Sequence, residues 1–141
     1  MFSVRLEEII EERGITKEDL AKGLGLKDCS MIYRWIKSVH VPTLSSANAV
    51  ANFFNCSLDY LAGRTEDFKP VKAQELKPFG TQFRKVIKNA KISQNNIIKN
   101  LNISTHSIVS WLNNKTIPNF SSVIKLANYL NISIDELVGR E

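Results

Sequence analysis

Apolar positions along the chain recur at three- and four-residue steps, the period of a helix buried on one face. In the first half, Leu6, Ile9 and Ile10 predict a helix over 4–13, stopped by Gly14. Thr16 stands as an N-cap with Asp19 three residues on, a partial capping box, and a helix follows to Leu24. Gly25 supplies a turn at little steric cost. Asp28 caps a third helix, with Ile32 and Trp35 facing inward. Beyond Pro42, Thr43 caps a fourth helix through Ala47, Val50, Ala51 and Phe54. Ser57 caps a last short one with Leu58 and Leu61, closed by Gly63. No stretch alternates apolar and polar residues long enough to predict a strand, so the pattern is all-α.

The second half repeats the first. Residues 2–26 align with 79–103, and 28–64 with 104–140, with 18 identities in 62 pairs. The matches fall on apolar helix-spaced positions (Ile10/Ile87, Ile15/Ile92, Leu24/Leu101, Ile32/Ile108, Trp35/Trp111) and on breakers (Pro42/Pro118, Ser57/Ser133, Gly63/Gly139). Asp59/Asp135, Leu61/Leu137 and Arg64/Arg140 close each copy. Shared core and shared punctuation imply one fold used twice. The pattern predicts second-copy helices at 83–89, 93–101, 104–113, 119–130 and 133–138. The boundaries read as unit 1 over 1–66, a linker over 67–78 and unit 2 over 79–141, with Lys27 an insertion in the unit 1 turn.

Composition narrows the class. The chain has no window of 18 apolar residues that predicts a membrane span, and its start lacks the basic and apolar regions of a secretory signal. Two cysteines without a CxxC pair fit a reduced, cytoplasmic setting. Of the net charge of +5, residues 79–141 carry 8 basic and 3 acidic groups, while residues 1–66 carry 8 and 9. Such an asymmetry fits either a second unit that meets a polyanion more closely than the first or drift of solvated surface charge. No nucleophile–base pair, carboxylate pair or glycine-rich phosphate loop argues for an enzyme, and nothing points to a cofactor or a small-molecule effector. His106 has no second ligand at metal spacing, and Trp35 and Trp111 read as core.

The segments TKEDLAKGLGLKDCSMIYRWIKSVHVPTLSSANAVANFFNCSLDYLAGR and SQNNIIKNLNISTHSIVSWLNNKTIPNFSSVIKLANYLNISIDELVGR resemble the phage-repressor and Cro helix-turn-helix family, the XRE family. The resemblance covers nearly all of the chain outside residues 65–78. It implies two five-helix lambda-repressor-like domains in tandem, binding double-stranded DNA as a transcriptional regulator, and a repressor by that likeness. In such a unit the second helix of the motif enters the major groove while the first crosses the backbone. With the Ile-x-x-Trp pair turned inward, helical periodicity leaves Thr105, His106, Val109, Ser110 and Asn113 free in unit 2, and Cys29, Ser30, Tyr33, Arg34 and Lys37 in unit 1. Taken residue by residue, the resemblance implies that Thr105, His106 and Ser110 face base edges and that Gln94 reaches a phosphate. It implies further that Asn114, Lys115 and the backbone near Asn119 hold the next phosphate. The unit 1 equivalents are Cys29, Ser30 and Arg34, then Lys17, then Ser38 and Thr43.

Departures from the family pattern separate the two copies. Unit 1 has the inserted Lys27, Ser38 where unit 2 has Asn114, and Glu7, Glu8, Glu11 and Glu12 where unit 2 has Arg84, Lys85, Lys88 and Asn89. These departures make unit 2 the expected main reader. They also leave unit 1 with an alternative role as a dimerisation or protein-docking module. Cys29, near a helix start, is either a small first-turn residue or a thiol of lowered pKa acting as a redox sensor. Phe53, Phe54, Tyr60 and Phe68 form either core or a self-association patch. An extended stretch over 65–78 would reach roughly 45–50 Å, enough to serve two half-sites about 34–36 Å apart. Unlike reading faces imply an asymmetric site.

Overall fold

The structure, a computed structural model, describes residues 1–140. It is helical, with no strand among the described residues, and divides into two compact units, Met1–Gln74 and Glu75–Glu141.

Unit 1 holds α1 (Phe2–Glu12), α2 (Lys17–Gly23), α3 (Ser30–Ile36), α4 (Leu44–Phe54) and α5 (Leu58–Leu61). Helix α1 begins two residues ahead of the predicted start because Phe2 is buried, its ring edge-on to Trp35 at 6.1 Å. Thr16 and Asp19 complete a full capping box: the Thr16 hydroxyl accepts from the Asp19 N–H, and the Asp19 carboxylate accepts from the Thr16 N–H. The Thr43 and Ser57 hydroxyls cap α4 and α5 by accepting the N–H three residues on, from Ser46 and Tyr60. Helix α3 starts at Ser30 with Cys29, not the expected Asp28, at its N-cap; Asp28 stands one residue outside, and its carboxylate takes the Ser30 N–H at 2.9 Å. Helix α1 packs on α3 and α5. The core is Leu6, Ile9, Leu20, Ile32, Trp35, Val50, Ala51, Phe54, Cys56 and Leu61, all buried. Burying an aliphatic or aromatic side chain of this kind contributes roughly 1.5–3 kcal/mol.

Unit 2 holds α6 (Phe79–Ala90), α7 (Gln94–Leu101), α8 (Thr105–Leu112), α9 (Phe120–Leu130) and α10 (Ile134–Val138). Side chains of Ser93, Ser104, Asn119 and Ser133 cap the last four. Helix α6 starts well before residue 83. Phe79 is buried, and Gly80 lets α6 approach α8 so closely that a Cβ there would lie 2.3 Å from the Trp111 carbonyl oxygen. Each unit closes alike: Arg64 pairs with Asp59 and Arg140 with Asp135, beyond Gly63 and Gly139 at φ 75° and 78°. Only glycine enters that left-handed region at no steric cost.

Residues 67–74, assigned to a linker by sequence, pack on unit 1. Phe68 stands edge-on to Tyr60 at 5.4 Å, the Val71 N–H donates to the Asn55 carbonyl at 2.8 Å, and Gln74 is bonded by Asn48 and Asn52. The chain therefore passes from unit 1 at Gln74 directly into unit 2 at Glu75, where the Lys77 side chain lies against Gly139. Of the four aromatics in question, Phe54 and Tyr60 are core, while Phe53 and Phe68 stay more than a third exposed.

Candidate nucleic-acid interface

In unit 2 the connection between α7 and α8 is short, residues 102–104, and turns through Asn102 at φ 52°. Asn reaches this left-handed region more readily than most residues. The Ser104 hydroxyl caps α8 on the Ser107 N–H at 3.1 Å, and buried Ile108 and Trp111 seat it on the unit. Thr105, His106 and Val109 are exposed together on the opposite face. That face offers a hydroxyl, an imidazole and a branched apolar group, the types of group that read base edges and the thymine methyl.

Ser110 departs from expectation. Periodicity put it on the free face, yet it is buried and its hydroxyl lies 2.7 Å from that of Thr116. The loop after α8 folds back over it, with the Lys115 N–H donating to the Ser110 carbonyl at 3.0 Å. Ser110 thus shapes the loop that presents Lys115. Asn113 is exposed, but its side-chain oxygen accepts from Arg84 at 2.8 Å. Arg84 also donates Nε to the Leu112 carbonyl at 2.9 Å, satisfying the C-terminal end of α8 from α6. A guanidinium suits this end of a helix, where carbonyls are unpaired and the dipole is negative. The sequence showed Arg84 only as a basic residue opposite Glu7; its contact with α8 depends on tertiary approach.

The residues expected at phosphate follow the same frame. Gln94 is exposed at the first position of α7. Asn114 turns through φ 58°, and its side-chain oxygen accepts the Gly80 N–H at 2.7 Å, so it caps the start of α6. Lys115 is exposed. The Asn119 side chain accepts from the Ser122 N–H at 2.9 Å and is committed to capping α9. A surface cleft of about 400 Å³ beside Gln94 is lined by Arg84, Ile87, Lys88, Ile92 and Ser93.

Unit 1 carries a different surface on the same scaffold. Its α2–α3 connection spans residues 24–29, longer than one insertion requires, because α2 ends and α3 begins one aligned residue inside α7 and α8. Ser30, Tyr33, Arg34 and Lys37 are exposed. Cys29 is half-buried, and partial desolvation with the adjacent Glu18 pushes its thiol pKa up. The thiol is thus shifted opposite to the lowered pKa that the redox expectation for Cys29 requires, which lowers its thiolate fraction. The Lys17 ammonium lies 5.3 Å above the Tyr33 ring, joining α2 to α3 through a cation–π contact. Ser38 holds φ 59° and donates its hydroxyl to Ser3 at 3.0 Å, the counterpart of Asn114 on Gly80. Around α3, Met31, Val39 and Val41 are also exposed.

No helix among the described residues is long and apolar enough to cross a membrane, and no group of three His, Cys, Asp or Glu residues among them could hold a metal ion. A family model described as a helix-turn-helix matches residues 6–61, and a second, described as a helix-turn-helix domain, matches residues 80–141. Neither the curated proteins nor the solved structures give a match. The chain belongs to the helix-turn-helix proteins. It carries two such domains in tandem, similar to those of the XRE family, and is a DNA-binding regulator.

Proposed function

We propose that the chain binds double-stranded DNA sequence-specifically through both units and represses transcription by occupying promoter DNA. Unit 2 is the main reader. The observation that carries this is the outward set Thr105, His106 and Val109 on α8, opposite buried Ile108 and Trp111. Lys99 on α7 and Lys115 in the loop after α8 are exposed in the same unit. In this reading α8 lies in the major groove and Gln94 and Lys115 fix it on the phosphates. The protein acts in the cytoplasm as a regulator without catalysis.

Selection of bound sequences from random duplexes tests the reading. The full chain should enrich an asymmetric site with two unlike halves. Thr105→Ala with His106→Ala should erase preference in one half only. Enrichment of no sequence would overturn specificity, and a promoter whose output is unchanged or raised by occupancy would overturn repression.

A second reading has its own observation. Unit 1 exposes Met31, Val39 and Val41 around α3 and carries Glu7, Glu8, Glu11 and Glu12 exposed on α1. An apolar patch beside an acidic helix fits a protein partner or a second copy better than phosphate. Protection of a single half-site per chain in footprinting would favour this reading.

A further inference from the structure

The segment joining the two domains is held on unit 1 by groups that read its main chain. Asn52 bonds both polar groups of Gln74: its amide donates to the Gln74 carbonyl at 2.8 Å, and its oxygen accepts the Gln74 N–H at 3.0 Å. Asn48 donates to the same carbonyl at 3.1 Å, and the Asn55 carbonyl takes the Val71 N–H at 2.8 Å. One side-chain slot sets the register, with Phe68 between the Tyr60 ring at 5.4 Å and the Arg13 guanidinium at 5.0 Å. Arg5 fixes the entry, donating to the Thr65 carbonyl at 3.1 Å and to Glu66 at 3.0 Å. Main-chain bonds for hold and a side-chain pocket for register are the logic by which proteins take up an extended peptide.

The clamp is not part of the duplicated scaffold. At the aligned positions unit 2 has Gln82 for Arg5, Ala90 for Arg13, Ile124 for Asn48 and Glu136 for Tyr60. Asn128 and Asn131 match, but the aromatic slot and the second amide are missing. The strap itself is shallow: Lys69, Pro70, Lys72 and Ala73 are exposed. Few buried contacts make such a segment a low-stability element that opens ahead of the core.

We propose that unit 1 carries a peptide clamp for residues 68–74 of its own chain, and that its closure sets the length of the tether between the two DNA-reading units. This rests on the tandem reading above. With the clamp closed, Gln74 of unit 1 runs directly into Glu75 of unit 2 and leaves no free tether. With it open, residues 67–74 become a tether of roughly 25–30 Å at full stretch. A tethered reader has its highest effective concentration when the tether matches the span, and a longer one spreads it over more spacings. The closed clamp therefore selects half-site spacing, and the open one relaxes it.

The test uses the full chain on duplexes whose two selected half-sites are separated by spacers varied one base pair at a time. Three proteins are compared: the native chain, Asn52→Ala with Phe68→Ser, and a chain whose residues 68–74 are replaced by glycine and serine at equal length. The last keeps every groove residue and carries the test alone if the first variant loses helix content. The native chain should bind a narrow set of spacers and both variants a wider set, with affinity for an isolated half-site unchanged. In the DNA-free native chain, amides of Val71 and Gln74 should exchange about tenfold or more slowly than those of Lys72 and Ala73. Equal exchange at the four amides overturns the clamp. Two protected half-sites with identical spacer profiles in all three proteins overturn the tether role alone. A native chain protecting one half-site overturns the tandem reading and the tether role together.

Discussion

Ser38 and Asn114 occupy the same turn after their respective helices, at φ 59° and 58°. The left-handed region costs an ordinary L residue roughly 1–2 kcal/mol, and Asn less. Ser38→Asn is expected to stabilise unit 1 by about 0.5 kcal/mol, read as a rise in the denaturant midpoint with unchanged slope. Glycines divide by what surrounds them. A Cβ on Gly80 would meet main-chain oxygens of Trp111 and Leu112 at 2.3 and 2.7 Å, whereas one on Gly23 would meet the ring of Phe53. Backbone cannot yield and a partly exposed ring can, so Gly80→Ala should cost roughly 1–3 kcal/mol and Gly23→Ala clearly less, by the same denaturant measurement. Unit 2 resolves the Gly23–Phe53 position differently, with Asn100 donating to the Tyr129 hydroxyl at 2.8 Å. Acid should also separate the copies. The Thr16 backbone N–H holds the Asp19 pKa below its ordinary value, and the Ser30 backbone N–H does the same for Asp28. A carboxylate with a depressed folded pKa adds stability that is complete above its unfolded pKa and is lost as pH falls through the folded one. Unit 2 has Asn96 at the Asp19 position and Ser104 at the Asp28 position, neither of which carries a carboxylate. Below about pH 4, amide chemical shifts at the starts of α2 and α3 should therefore move while those at α7 and α8 hold. Equal movement in both would remove the caps as the cause.

Helix α8 shows what a period can and cannot reveal. The spacing of Ile108 and Trp111 fixed its inward face, and both are buried. Caps were equally legible: Thr16, Thr43, Ser57, Ser93, Ser104, Asn119 and Ser133 all accept the N–H three residues on. These depend on local chemistry, which a sequence carries in full. Ser110 was misplaced because periodicity assigns a direction around the helix and says nothing about a loop folding over that direction. The packing of 67–74 on unit 1 is not carried by local sequence for a related reason: its partners Asn48, Asn52 and Tyr60 are distant in sequence and become partners only after α4 and α5 pack. Helix α6 starts at Phe79, ahead of the expected 83, where Gly80 lets it meet α8, a contact that local sequence does not carry. The corrected geometry yields a prediction at this scale. Thr105→Ala, His106→Ala and Val109→Ala should each change which bases are preferred in selection. Ser110→Ala should weaken binding to all sequences alike, through a displaced Lys115, and leave the preferred sequence unchanged. A shifted base preference in Ser110→Ala would return that residue to the reading face.

At the scale of the molecule, the duplication has kept a scaffold and parted two surfaces. The Asp–Arg closure and the inward Ile–Trp pair recur, whereas the charge does not: the excess of basic over acidic groups lies beyond residue 66. Phosphate contacts dominate affinity for a duplex and make it salt-dependent, since each neutralised phosphate releases counterions. The lysines differ in availability as well as number. Lys99 and Lys115 are exposed, while Lys17 is half-buried and stacked over Tyr33. Charge reversal should therefore be unequal. Lys99→Glu with Lys115→Glu is expected to weaken binding by about tenfold or more and to reduce the slope of log affinity against log salt by roughly 2. Lys17→Glu with Lys22→Glu should change both by much less. Titrations of the full chain on one duplex, at four or five salt concentrations, measure both quantities together. Equal losses and equal slopes in the two pairs would mean that unit 1 grips the backbone as firmly as unit 2. The acidic α1 and the stacked Lys17 would then have no bearing on how the work is divided.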